Sequence, residues 1–349
     1  KVMTSTRRAI PTSGITMGDP AGIGPEIVVR SLVPFSNMEH VRFVVYGSNA
    51  LLTLAADNCK VSTLRWHRVD AKSNRAHAPI HQKITVFDDD EEDLHSLRPE
   101  HSSVSGHASK QWVEQAICDA MKPTSDPRHI DAIVTAPICK ASWAAAGYQW
   151  VGHTELFASR TKSKRHAMAF ISPTLRVVLA TCHIPLMDIQ NVLTIGRVFD
   201  AIDLANEGCI QLGISRPRIA VAGLNPHAGE YGLLGDEELR LIEPAIKVAS
   251  EAGIDVHGPF PADTLFNEAV NGTYDIVVAM YHDQGLLPVK LLHQHCAVNW
   301  TLGLPIIRTS PDHGTAFDIV GKNQANIDSM QAAIKLAIDL AKTREPRPC

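Results

Sequence analysis

Three histidines each follow a short apolar run. Val177-Val178-Leu179-Ala180 leads to His183, Ile219-Ala220-Val221-Ala222 to His227, and Ile276-Val277-Val278-Ala279-Met280 to His282. Runs this short, rich in β-branched residues, predict strands. In an open α/β sheet, ligands bind beyond the carboxyl ends of the strands. Three imidazoles delivered to that edge can share one metal ion, and three protein nitrogens leave coordination positions open for a reactant. Nitrogen ligation suits zinc best, then manganese or cobalt, and magnesium less well. For one such histidine the plainer reading is a ring that satisfies a backbone group at a strand end. Three matching contexts favour the metal. Asp188, Glu230 and Asp283 lie close in sequence and are candidates to orient the rings.

A second set has the chemistry of anion recognition. Lys290, Asn299 and Arg308 are polar residues within an otherwise apolar stretch at 286–307. Either they are surface groups, or a bound phosphate or carboxylate pairs the cations, with arginine supplying a bidentate fork. Asp312-His313-Gly314-Thr315-Ala316 is then expected to open another helix, suited to anion contact. His153 beside Thr154 is a donor pair for a carboxylate or hydroxyl; Thr154 serves equally as a helix cap. Gly229, Gly232 and Gly235 follow His227. They form either a loop that lies along a cofactor or a flexible connection. The stretch Thr16-Met17-Gly18-Asp19-Pro20-Ala21-Gly22-Ile23-Gly24-Pro25-Glu26 is neither GxGxxG nor GxxxxGK. A tight turn and a ligand loop both remain open for it.

The elements that must carry these residues alternate. Strands are predicted at 14–17, 42–46, 132–135, 176–180, 218–222 and 275–279, and helices at 108–121, 236–250 and 327–341. Asp236 is the expected N-cap of the second helix. The alternation implies an α/β fold built on a mostly parallel sheet. A length of 349 residues suggests about two domains, and a boundary is expected near residue 140, although no clear linker marks it. The polar leader before residue 13 reads as a frayed tail, and the acidic run at 88–93 as a solvated loop.

Composition bounds the rest. A hydrophobic fraction of 45% supports a sizeable core, and a net charge of −4 points to neither nucleic acid nor an anionic membrane as partner. Seven scattered cysteines without a CxxC pair suggest a reducing, cytoplasmic setting. No apolar stretch is long enough to cross a bilayer.

The chain resembles the PdxA-type 4-hydroxythreonine-4-phosphate dehydrogenase family and its catabolic relatives. The likeness runs from about Gly14 to about Ala341 and rests on ITMGDPAGIGPEI, TAPICK, GHTELF, HIPL, GLNPHAGE, GPFPADTLF, YHDQG and GLPIIRTSPDHGTAFDI. It implies two α/β domains with a cleft between them, as in isocitrate and isopropylmalate dehydrogenases, one of residues 1–140 plus 305–349 and one of 141–304 carrying the metal ligands and the interface of a homodimer. By that resemblance His183, His227 and His282 are metal ligands, one of them from the partner chain. His153, Thr154, Lys290, Asn299 and Arg308 contact substrate. NAD or NADP is the oxidant, bound without a Rossmann fingerprint. The implied reaction is oxidation of a secondary alcohol β to a carboxylate, whose hydroxyl the metal acidifies. Hydride passes to nicotinamide, and the β-keto acid then loses carbon dioxide. Lys290, Asp263 and Lys140 are the candidates for proton transfer.

Biosynthetic members oxidise 4-phosphohydroxy-L-threonine, and close relatives act on 4-phospho-D-threonate or 4-phospho-D-erythronate. More distant ones act on cis-dihydrodiol carboxylates of the terephthalate diol type. The motifs GDPAGIGPEI, LLGDEE and HGTAFDI lean toward the phospho-sugar-acid branch. The segment LLHQHCAV between Lys290 and Asn299 departs from the family's Gly-aromatic pattern, which keeps the dihydrodiol reading open. A three-histidine metal hydrolase is a remote alternative.

Overall fold

The computed structural model describes residues 10–70, 80, 82–88 and 94–344. The first nine residues of the leader and residues 89–93 of the acidic run lie outside the described residues. Contacts divide the chain into two compact units. One comprises the chain to Val151, His313–Ile327 and the chain from Ala337; the other comprises Gly152–Asp312 and Asp328–Leu336.

The first unit contains β1 (Thr12–Thr16), β2 (Arg42–Gly47), β3 (His67–Asp70), β4 (Ile84–Asp88) and β5 (Ala132–Thr135). They lie in the order β3-β4-β2-β1-β5, and each neighbouring pair is parallel. Parallel neighbours need crossovers, which helices α1 (Gly24–Leu32), α2 (Asn49–Asn58) and α3 (Ser103–Met121) supply. β1 begins at Thr12, so the end of the polar leader is strand: the N–H of the buried Thr12 donates to the partly exposed Asp131 at 2.8 Å. In α3, Trp112, Val113, Ala116, Ile117 and Ala120 form the buried stripe that their spacing predicts. The helix starts five residues earlier than predicted, because Ser102 accepts the N–H of Ser105 at 3.1 Å and caps it. A short helix, α4 (Lys140–Ala145), lies against α3, and a Cβ on Gly106 would stand 2.0 Å from the Ser142 carbonyl oxygen.

The glycine-rich turn after β1 is filled by protein. Gly18 has φ +77, and a Cβ there would meet the Pro137 carbonyl at 2.3 Å; at Gly24 it would meet the Met17 carbonyl at 2.0 Å. Asp19 is fully buried, and burial pushes its carboxyl up despite hydrogen bonds from Ala21, Ser142 and Ser105. This packing supports the tight-turn reading of the motif.

The second unit contains α5 (His153–Thr161), β6 (Ala167–Ile171), β7 (Arg176–Leu179), α6 (Ile189–Val192), α7 (Ile195–Gln211), β8 (Ile219–Ala222), α8 (Glu243–Glu251), β9 (Val256–Phe260), α9 (Ala262–Val270), β10 (Ile276–Ala279), α10 (His282–His293), β11 (Val298–Leu302) and β12 (Ile307–Pro311). A final helix, α11 (Asp328–Thr343), begins in this unit. The strand order is β12-β11-β6-β7-β10-β8-β9. β7, β10, β8 and β9 are mutually parallel, whereas β12, β11, β6 and β7 alternate in direction. The sheet is therefore more mixed than the sequence suggests. A tight turn explains one reversal: Ser172 donates to the Leu175 carbonyl from both its N–H (3.1 Å) and its hydroxyl (2.6 Å).

One sheet face, with Phe170, Val177, Leu179 and Ala279, packs against Leu265 of α9 and Leu286 and Val289 of α10. Gly285 permits the approach of α10, since a Cβ there would stand 2.6 Å from Leu179. The helix predicted at 236–250 begins instead as a wide π-type turn, Glu238–Ile242, which leads into α8. Pro244 cannot donate to the carbonyl four residues back and its ring crowds that position, which accounts for the wider turn. Asp236 does not cap; it pairs with Arg240 at 2.9 Å.

Gly106→Ala is expected to lower the stability of the protein by about 1–3 kcal/mol, the usual cost of overpacking. Denaturant unfolding with an unchanged slope and a lower midpoint is the predicted reading; an unaltered midpoint would show that α3 and α4 can part without penalty.

Candidate active site

The ends of two adjacent strands bring two of the three histidines together. β7 and β10 pair with Leu179 opposite Ala279. Their ladder continues past the strands: the Ala180 N–H donates to the Ala279 carbonyl at 2.8 Å and the Thr181 N–H to the Met280 carbonyl at 3.2 Å. The chains then diverge, His183 taking a left-handed φ of 52 and His282 opening α10. Their ring centroids lie 5.5 Å apart at 40°. Metal–nitrogen bonds of about 2.0–2.1 Å allow two rings so placed to reach one ion. Nδ1 of His282 lies 2.7 Å from Oδ1 of Asp283, an orienting contact of the kind that fixes a ligand's tautomer.

His227 stands apart from this pair. Among the described residues of one chain, no three His, Cys, Asp or Glu side chains gather as a metal site. His227 lies in the turn Pro226–Gly232, whose residues His227, Ala228, Gly229, Glu230, Tyr231 and Gly232 all have positive φ, from 45 to 92. Left-handed backbone costs about 1–2 kcal/mol for each residue other than glycine. Four such residues occur here, so the turn needs anchoring.

Glu238, 1% exposed, supplies an anchor. Its Oε1 accepts the N–H groups of Leu224 and Asn225, each at 2.7 Å, and its Oε2 accepts Nδ2 of Asn225 at 2.9 Å. Hydrogen bonds to a charged group contribute about 1.5–3 kcal/mol each, the same order as the backbone cost. The glycines of this loop have a packing reason as well. A Cβ on Gly229 would stand 2.7 Å from Glu238, and one on Gly235 2.4 Å from Asn225. Gln284 joins the loop's base to the histidine pair: its Oε1 accepts the Met280 N–H and its Nε2 donates to the Gly223 carbonyl, both at 2.7 Å.

The anion-ready residues share a different part of the same unit. β11 and β12 pair with Asn299 opposite Ser310 and Trp300 opposite Thr309, which sets Arg308 opposite Thr301. Asn299, Thr301, Arg308 and Ser310 therefore lie on one face. Nη1 of Arg308 donates to Oγ1 of Thr301 at 3.1 Å, and its guanidinium carbon lies 5.7 Å from the Phe157 ring centre. The His153 ring lies 6.4 Å from that same phenyl ring. Arg308 is 3% exposed, and burial lowers its pKa to about 10, opposed by the charge of Glu155. It thus remains a cation at neutral pH. Oδ1 of Asn299 is buried with no hydrogen-bond partner among the described residues. Lys290, half exposed, pairs with Asp312 at 3.1 Å. A buried guanidinium and an unsatisfied amide oxygen on one sheet face suit a ligand that is anionic at one end and bears a hydroxyl or ammonium donor.

The proton-transfer candidates are scattered. Asp263 is exposed in the first turn of α9, where a carboxylate also complements the helix dipole. Lys140 is exposed at the start of α4 in the other unit. Thr154 follows His153 in the first turn of α5. Sequence reasoning gave no role to Thr301, Phe157, Gln284 or Glu238; the last three stood only within the motifs GHTELF, YHDQG and LLGDEE. Alternation along 298–302, with Asn299 and Thr301 spaced by two, was the available signal for the first.

The fold is shared with a beta-decarboxylating dehydrogenase from Thermococcus kodakarensis, at TM-score 0.51 and 16% identity over 94% of this chain and 83% of that one. The profile of the family described as pyridoxal phosphate biosynthetic protein PdxA matches residues 39–337, and the chain belongs to that family. It is 44% identical to a 4-hydroxythreonine-4-phosphate dehydrogenase from Desulfosudis oleivorans, over 97% of this chain and 98% of that protein. It is 40% identical to a D-threonate 4-phosphate dehydrogenase from Pectobacterium atrosepticum, over 94% and 98%. A solved structure described as a putative 4-hydroxythreonine-4-phosphate dehydrogenase, from Salmonella typhimurium, superposes at TM-score 0.81 with 41% identity, over 95% of this chain and 99% of that one. Among the described residues, no helix is long and apolar enough to cross a membrane.

Gln284→Ala is expected to cost about 1–3 kcal/mol of stability, since it leaves the Met280 N–H and the Gly223 carbonyl unpaired. Hydrogen exchange should quicken at the Met280 amide before the core of β10. Protection equal to the parent's would mean that the bridge is dispensable.

Proposed function

We propose that this chain is a metal-dependent dehydrogenase that uses NAD or NADP to oxidise the hydroxyl of a small phosphorylated β-hydroxy acid, with decarboxylation of the product. The substrate class is that of 4-phosphohydroxy-L-threonine and 4-phospho-D-threonate or 4-phospho-D-erythronate. The observation that carries the reading is the pairing of His183 with His282 at the carboxyl ends of β7 and β10, in the same unit as a buried Arg308. Near-full-length similarity to dehydrogenases of phosphorylated hydroxy acids supports it.

Each residue has a stated part. His183, His227 and His282 hold a divalent cation, zinc first among manganese, cobalt and magnesium, and the set is completed across a homodimer. When bound, the ion supplies Lewis acidity toward the reacting hydroxyl, and the nicotinamide accepts hydride. Arg308 and Lys290 hold the anionic ends of the substrate, and Asn299, His153 and Thr154 orient its polar groups. Lys290, Asp263 and Lys140 are the candidates for moving the hydroxyl proton, and a lysine would accept it only as the neutral amine. The loop bearing Gly229, Gly232 and Gly235 lies along the nicotinamide. Free thiols at Cys59, Cys118, Cys139, Cys182, Cys209 and Cys296 suit a reducing, cytoplasmic setting.

A panel assay tests this reading. Phosphohydroxythreonine, both phospho-sugar acids and an aromatic cis-dihydrodiol carboxylate are each offered with zinc or manganese and with NAD or NADP. Reduced nicotinamide should appear with a phosphorylated acid, vanish on chelation and return with metal. Activity on the dihydrodiol alone would move the enzyme to that branch, and substrate loss without any nicotinamide would favour hydrolysis. Arg308→Met should raise KM for the phosphorylated acid about 10- to 100-fold, the worth of a charged hydrogen bond. An unchanged KM would remove Arg308 from the substrate contacts.

A further inference from the structure

We infer that Glu238 is a positioning residue for His227, holding that imidazole where a shared metal ion requires it. The inference rests on the proposed reading of His227 as a ligand. The geometry separates Glu238 from an ordinary buried acid. It is the first residue of the π-type turn Glu238–Ile242 and is almost wholly buried. Yet its carboxylate reaches back across the loop to Leu224 N–H, Asn225 N–H and Asn225 Nδ2. These donors are the residues that leave β8, and His227 comes two positions after the second of them. Glu237 takes the same Asn225 amide from the other side at 2.7 Å. The loop is therefore tied at its base, while its tip, with Tyr231 98% exposed, is not.

His227 adopts φ 53 and ψ 29, a left-handed conformation that is uncommon outside glycine, and it is followed by three more non-glycine residues of the same hand, Ala228, Glu230 and Tyr231. Gly223 and Gly229 let the loop close around the carboxylate, since a Cβ at either would approach it to 3.1 or 2.7 Å. The clamp acts on the backbone before and around His227, not on its ring. Glu238 thus sets the ring's place without coordinating the ion, as outer partners of metal ligands do.

The test uses the full-length protein and zinc alone, with affinity measured by competition against a chromophoric chelator. Glu238→Ala should weaken zinc binding about 10- to 100-fold, and Glu238→Gln, which keeps the oxygen that serves both backbone amides, should stay within about threefold of the parent. His227→Ala should weaken binding at least as much as Glu238→Ala. Cobalt-loaded Glu238→Ala should show the visible spectrum of His227→Ala, because both lose the same ligand. Affinity within threefold of the parent in Glu238→Ala overturns the inference while leaving His227 a ligand. Weaker affinity with the parent's cobalt spectrum also overturns it, since that marks general loosening. Undiminished zinc affinity in His227→Ala sinks the reading of the site itself, and the inference with it. If Glu238→Ala does not fold, Glu238→Asp decides: it keeps the charge but cannot span to both amides, and the same thresholds apply.

Discussion

The parallel alignment of β7, β10 and β8 is the constraint on which the candidate site depends. Parallel strands end on the same edge, so whatever follows them is delivered to one place. Here the ladder outlasts the strands by two residues on one side, which keeps the chains in register until just before they part for His183 and His282. A slip of one residue between β7 and β10 would turn every side chain to the opposite face and separate the rings. The apolar faces of these strands resist such a slip, because Val177, Leu179 and Ala279 all belong to one buried layer with α10. Core packing and site geometry are thus the same requirement stated at two distances from the sheet's edge.

Polar residues in this unit are concentrated where they cost most. Arg308 sits within a strand, nearly without solvent, against Thr301 and Phe157 and on the same sheet face as Asn299. Burial of a guanidinium is unfavourable unless an anion or good acceptors compensate. Its lowered pKa expresses that penalty, and the nearby charge of Glu155 opposes it. Such a strand is poor as a stabilising element and good as a preorganised receptor, because its donors are fixed by the sheet before any ligand arrives.

The sequence was legible where one force dominated. The strands at 132–135, 176–180 and 275–279 were read to within a residue of β5, β7 and β10, because each is a continuous apolar run buried on both faces. β3 was missed because His67, Arg68 and Asp70 are exposed on an edge strand, where solvent removes the hydrophobic signal. β12 was missed for the opposite reason: its five residues are all buried, but Arg308, Thr309, Ser310 and Pro311 do not read as core. The histidines were found by their positions after strands, and Arg308 by its charge within an apolar stretch. What sequence could not supply was the third dimension of the loops. The contact between Asp283 and His282 followed from adjacency. By contrast, Glu238 meets Leu224 across fourteen positions, and no spacing rule links them.

The turn from His227 to Gly232 has a further consequence in chirality. Its backbone follows the hand that L-amino acids avoid, so its preferred occupants are achiral or mirror-image residues. At Ala228, where φ is 51 and ψ is 44, D-alanine introduced by chemical synthesis would rest in the conformation it favours, while the natural enantiomer is held there against its own preference. Stereochemical tension is in this sense a property of the scaffold around His227, written into the covalent chain.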